Sequence, residues 1–214
     1  MKLVSRIVAA AALVALSGAA MATCLIPTSP FKVTVMPKGT TINTIINGTP
    51  SVTNPWAGFF VGFQQQLLLG SGTTGVAAVD PVTGTPLITE LGLDGSATTG
   101  KYTVVVAPDQ YMPSFGGDLA LFTTVINNQT VQQMVAGYSV LNGQQDFSAI
   151  VSVLSGYKTL GGYNIFGLHS CVPDPAPAKT SKGYLTINNA HVLNAYKVDN
   201  GLVYVVDGVS IPQI

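Results

Sequence analysis

Apolar and polar positions alternate along Phe31-Lys32-Val33-Thr34-Val35-Met36, the two-residue period of a half-buried strand. Around it, residues 23–55 are rich in Pro, Thr and Asn and read as an N-terminal extension. Asn54-Pro55 then opens an apolar stretch over 56–69. Asn54 is a cap, Pro55 suits a first helical turn and Gly70 ends it, so the pattern predicts a helix. Residues 70–100, full of Gly and Thr, read as a loop insertion with one ordered piece over 87–93. The β-branched run 102–107 predicts a strand that Pro108 stops. Helical spacing recurs over 118–126 and 130–136, the second capped by Thr130, and 147–154 reads as a short helix. Tyr138 begins a strand closed by Asn142-Gly143, and two hairpin-like strands at 157–160 and 163–168 flank Gly161-Gly162. Beyond an exposed Pro-rich loop at 171–182 come three strands, 184–188, 190–197 and 202–207. Asn200-Gly201 joins the last two and should supply the positive φ angles of a type I′ turn. Helices crowd the first half and strands the second, so the fold class is α+β.

The first 22 residues stand apart from this pattern. Lys2 and Arg6 precede an apolar run from Ile7 to Leu16, and Ala20-Met21-Ala22 forms a small-residue cleavage site. Residues 1–22 therefore read as a secretory signal peptide, which places the chain in the periplasm or outside the cell. The run is too short for a membrane span, and no later segment reaches span length. Cys24 also admits a lipoprotein reading, although Met21-Ala22-Thr23 fits a lipidation site poorly.

Charge narrows the function further. Of 214 residues only 8% are charged, with nine Lys and Arg against nine Asp and Glu. A neutral chain has no basic surface for nucleic acid, and its apolar content is too high for disorder. Export makes the two cysteines candidates for one disulfide, Cys24–Cys171, with a pair of unlinked thiols as the alternative. Such a bridge would close a loop of about 147 residues, worth at most roughly 4–5 kcal/mol in the chain-entropy view. His169 and His191 are the two histidines, and no Cys/His spacing suits a metal.

At the C-terminus, the stretch from Asn200-Gly201 through Tyr204 and Asp207 to Pro212 resembles the second conserved box of fasciclin domains, NG-V-I-H-V-I-D-x-V-L-x-P. Val104-Val105-Val106-Ala107-Pro108 is similar to the first box, T-V-F-A-P-T-x-x-A-F. Between them, Tyr138 to Gly143 resembles Y-H-V-V-x-G, and Thr159-Leu160-Gly161-Gly162 resembles the T-L-x-G turn. Residues 186–192 look like the strand that precedes the second box. The resemblance covers about residues 102–212 and implies a fasciclin-like fold over 56–214: helices packed on a sheet wedge with a C-terminal hairpin. It also implies that Ala107, Pro108, Tyr138, Gly143, Asn200, Gly201, Asp207 and Pro212 are structural residues. Asp207 is expected to accept backbone N–H bonds in the turn that follows it. The chain departs from the family at Ser139 and Tyr204, where histidines are usual, and at Asp109-Gln110-Tyr111-Met112. Ala195 and Tyr196 stand where some adhesive members carry an Asp-Ile pair, so that motif does not transfer.

No nucleophile elbow, zinc-protease helix, phosphate-binding loop or dinucleotide fingerprint occurs in the chain. His169 two residues from Cys171 is a loop histidine once the cysteine is oxidised, and His191 reads as a half-buried sheet residue. The aromatic set Trp56, Phe59, Phe60 and Phe63 has helical spacing and is expected in the core, with an apolar ligand groove as the alternative. No cofactor or metal is expected. The expectation is a non-enzymatic exported module for cell-surface or matrix association, its partner an envelope or extracellular protein or polysaccharide. The alternative is a carrier of a small apolar ligand, a pigment or lipid. Binding is expected on the 70–100 and 171–182 loops, because loops carry function on rigid scaffolds.

Protein from its native host should begin at Thr23, and peptide maps with and without reductant should differ by one linked pair, Cys24–Cys171. Two freely alkylated thiols, or a retained leader, would contradict this reading.

Overall fold

The computed structural model describes residues 33–70, 76–98, 100–112, 127–152, 156–173, 181–188 and 190–209. The chain divides into two compact units, one of 31–168 with 185–214 and one of 1–30 with 169–184. Of the latter, only strand segments fall among the described residues. The signal segment, Cys24, the helix expected over 118–126 and Pro212 lie outside the described residues. No helix among the described residues is long and apolar enough to cross a membrane.

The fold is α+β, as the patterning implies. Its elements run β1 (Val33–Val35), α1 (Ile42–Asn47), α2 (Gly62–Leu68), α3 (Leu87–Glu90), β2 (Tyr102–Val106) and α4 (Gln129–Tyr138). Then come β3 (Val140–Asn142), α5 (Phe147–Ser152), β4 (Tyr157–Lys158), β5 (Asn164–Ile165), β6 (Gly167–Pro173), β7 (Ser181–Ile187), β8 (Ala190–Val198) and β9 (Gly201–Val206). The main sheet is mixed, in the order β3-β2-β9-β8-β7-β6, with β1 parallel to the far half of β8. β2 and β9 run parallel at its centre, Tyr102 opposite Gly201 and Val106 opposite Val205. Every residue of β9 is buried, and so are Thr103 to Val106 of β2. Continuous β-branched runs without alternation mark such doubly covered strands. Helical residues Ile42, Ile45, Ile46, Phe63, Leu67, Leu68, Val135 and Ile150 join these strands in one core.

Several expectations change at this level. Of the stretch 23–55 read as an extension, the described part contributes to the sheet and the core. β1 is hydrogen-bonded into the sheet, and Ile42 and Ile45 of α1 are wholly buried. Within 70–100, the ordered piece expected at 87–93 is present, and its Leu87, Ile88, Leu91 and Leu93 pack into the core. Tyr102 holds the same segment by donating its hydroxyl to Glu90, whose other oxygen accepts from Thr83 at 3.0 Å. Burial first, then the Glu90 carboxylate, pushes the Tyr102 hydroxyl up to about 12.

The apolar stretch over 56–69 forms turns up to Gly58 and becomes helical only near Val61, with a wide i→i+5 turn closed by Leu69 N donating to Gln64 O at 2.9 Å. The cap of α4 is Asn128 and not Thr130, its side chain accepting from Val131 N at 3.2 Å. Tyr138 ends that helix instead of opening a strand. Its Gly137 lies so close to Gly161 that a Cβ there would stand 2.8 Å from Gly161 Cα. The 171–182 segment is only partly loop, its ends belonging to β6 and β7.

The β8–β9 turn differs most instructively. Asp199 and Asn200 span it, and neither has positive φ, so it is not a type I′ turn. Glycine is required at 201 for another reason. Gly201 has φ +154, and a Cβ there would stand 1.9 Å from Tyr102 O in the neighbouring strand. Gly201→Val should cost at least about 2 kcal/mol through strain and overpacking. It should lower Tm by several degrees in a calorimetric scan, and an unchanged Tm would contradict the close approach.

Candidate functional site

A cavity lies where β2 and β9 end. Phe63, Ala107, Tyr138 and Ile165 line one part of it, and Val206 and Val209 another. It holds about 10 Å³, room for roughly one water molecule. Tyr138 closes one side, packed edge-on against Tyr163 with ring centroids 6.2 Å apart. Burial raises the Tyr138 hydroxyl above the ordinary tyrosine value. Ser139 also reaches this cavity, but its hydroxyl donates to Val135 O at 3.0 Å, inside the preceding helical turn. Among the described residues, no histidine or carboxylate lines the cavity beside Ser139. Among the described residues, no three His, Cys, Asp or Glu side chains cluster as a metal site.

Of the residues singled out from the sequence, Ala107, Pro108, Tyr138, Gly143, Asn200, Gly201 and Asp207 are among the described residues and lie in, or within two residues of, strands of the main sheet. Ala107 is buried at the end of β2, and Pro108 starts a short 3₁₀ turn at Asp109–Tyr111. Gly143, at φ +78, donates to Lys101 O at 2.8 Å and accepts from the Thr103 hydroxyl at 2.9 Å. Asn200 accepts Ile42 N at 2.8 Å through Oδ1, while its carbonyl accepts Tyr102 N at 3.1 Å. Asp207 accepts His191 N at 2.7 Å, and its other oxygen lies 2.8 Å from His191 Nδ1. It therefore binds a backbone N–H of the neighbouring strand, not of the turn that follows it. Tyr204 is fully buried and donates to Gln145 O at 3.1 Å. Cys171 lies in β6, and the bridge to Cys24 lies outside the described residues.

Sequence reasoning missed the residues that cap distant backbone. Asp109 seemed a degenerate position of the first box. Its carboxylate accepts Gly62 N at 2.6 Å and Val61 N at 3.2 Å, capping the start of α2. Asp199 accepts Gly39 N at 2.7 Å and donates its own N–H to Thr40 O at 2.9 Å. Asp80 and Asp94 close local turns in the same way, on Val82 N and Ser96 N. The Thr89 hydroxyl, together with Ser96, holds the Asp94 carboxyl down at about 2. Asp109 had one legible signal: an Asp directly after a Pro that ends a strand is a ready capping residue. The aromatic set divides. Phe60 and Phe63 are core, Phe59 is half exposed, and Trp56 packs beside Tyr111 while donating its indole N–H to Asn194 at 2.7 Å.

No family model matches the chain, and no curated protein matches it. Among solved structures, it is similar to a FAS1 domain pair from the insect cell adhesion molecule fasciclin I. That similarity has a TM-score of 0.38 at 13% identity, over 51% of this chain and 36% of that one, so the chain spans about a third of that structure's length.

Proposed function

We propose that this protein is an exported, non-enzymatic, fasciclin-like interaction module that associates with a cell surface or matrix. The observation that supports it is the assembly of the family-like segments. The first-box strand β2 lies between β3, from the Y-x-V-x-x-G segment, and β9, from the second box. β9 in turn pairs with β8, and β8 with β7, so segments far apart in sequence form one contiguous sheet. Asp199 and Asp207, beside this sheet, accept backbone amides, which favours a scaffold over a catalyst. The carrier reading is the weaker one, because the cavity at the ends of β2 and β9 has room for about one water molecule and not for a pigment or lipid.

The test immobilises the chain that starts at Thr23 and passes envelope vesicles and soluble exopolysaccharide of the native host over it. Saturable binding to one of the two is expected. With so few charges on the chain, it should survive a rise from ~0.1 to ~0.5 M salt. The native mass spectrum should show polypeptide alone. Absence of binding to both, or a stoichiometric bound pigment or lipid, would overturn the proposal.

A further inference from the structure

Part of the aromatic set singled out from the sequence faces outward. Two turns carry this part, 54–59 and 108–111, and the backbone fastens one to the other. Asp109 N donates to Phe59 O at 2.8 Å, and the Asp109 carboxylate accepts Gly62 N and Val61 N. Phe60 is buried, whereas Phe59 is 52% exposed and Val61 46%. Trp56 and Tyr111 stand partly buried beside each other, ring centroids 6.3 Å apart and planes tilted by 50°. The Trp56 indole N–H donates to Asn194 Oδ1 of β8 at 2.7 Å. The polar edge of that ring is therefore turned to the sheet, and its position is fixed before anything binds. Gln110, next to Tyr111, is exposed, and no hydrogen bond among the described residues engages its carboxamide.

Charge decides what this surface fits. No Lys, Arg, His, Asp or Glu stands between Lys38 and Asp80, so the turn that bears Trp56 and Phe59 lies within a long uncharged stretch. Asp109, which the fold brings beside it, has both carboxylate oxygens on backbone amides. A charged partner gains little from such a surface. An acyl-chain surface would match the rings but would make no use of the Gln110 carboxamide. A neutral sugar matches both. One face of a pyranose ring is made of C–H groups and lies on an aromatic ring, and its hydroxyls both donate to and accept from a carboxamide. Rings already held in place supply contact area at low entropic cost.

We propose that Trp56, Phe59, Tyr111 and Gln110 form a binding surface for a neutral polysaccharide, with Asn194 positioning Trp56. The inference rests on the reading of this protein as a surface- or matrix-associating module, and it names the class of partner.

Trp56 is the single tryptophan of the chain, so its fluorescence reports on this surface directly. The full chain from Thr23 is titrated with three soluble neutral polysaccharides (a β-glucan, an α-glucan and a galactomannan), with a polyuronate, and with phosphatidylcholine vesicles. At least one neutral polysaccharide should shift or quench the emission saturably, and the polyuronate and the vesicles should not. Phe59→Ala and Gln110→Ala should each weaken that binding by about tenfold while Tm stays unchanged. Val82→Ala, at an exposed residue of the 80–85 turn, should leave it intact. Silence toward all three neutral polysaccharides, or a response to the polyuronate or the vesicles alone, would overturn the proposal. So would full affinity in Phe59→Ala or Gln110→Ala, or an emission change with protein concentration alone, the mark of a second copy on the surface. The two readings fail separately. Host vesicles or exopolysaccharide captured with no change at Trp56 overturn this surface and leave the module standing. A saturable response to a neutral polysaccharide without capture of any host material overturns the module and leaves the surface.

Discussion

The close approach of Tyr102 to Gly201 sets the geometry on which the rest of this fold depends. β2 and β9 are parallel and buried on both faces, so no tight hairpin links them and their register must be fixed by contacts. The carbonyl of Tyr102 occupies the space where a side chain at 201 would stand. One residue earlier, Asn200 receives Tyr102 N on its carbonyl and Ile42 N on its side chain. Asp199 takes Gly39 N and gives its own N–H to Thr40 O. One two-residue turn thus holds the β8–β9 hairpin, the start of β2 and the entry to α1 together.

Several carboxylates of this protein serve its own backbone. The chain has few carboxylates, and Asp80, Asp94, Asp109, Asp199 and Asp207 each accept a backbone N–H. A carboxylate that accepts amide bonds is stabilised in its charged form and satisfies donors that loops and helix starts would otherwise leave open. The Asp207 carboxylate also meets a side chain, lying 2.8 Å from His191 Nδ1. With nine Lys and Arg against nine Asp and Glu, the chain as a whole suits association through shape and hydrogen bonding better than through long-range steering.

The sequence made the sheet legible and hid what joins it to the rest. The runs Tyr102–Val106 and Gly201–Val206 stand out because strands covered on both faces need unbroken apolar residues. Gly201 was legible as an essential glycine, but for the wrong reason, since local turn rules say nothing about a strand that arrives from a hundred residues away. The piece at 87–93 was legible as ordered but not as a helix or as core, because α3 is a single turn, too short for a period to register. The apolar stretch over 56–69 looked like one helix because a helix and a buried turn share the same composition. Of the candidate site, the family-like residues were legible as positions. Their partners were not: Ile42 N and Asn200 Oδ1 lie 158 residues apart, and Asp109 caps a helix 47 residues before it.

The central claim is that the Asp199-Asn200 turn holds the N-terminal segment on the sheet. Native-state hydrogen exchange at the Ile42 and Gly39 amides, in wild type and in Asn200→Ala, tests it most directly. The account predicts that the Ile42 amide loses protection by ~tenfold or more when its acceptor is removed, with amides inside β9 retaining theirs. An Ile42 amide equally protected in Asn200→Ala would contradict it.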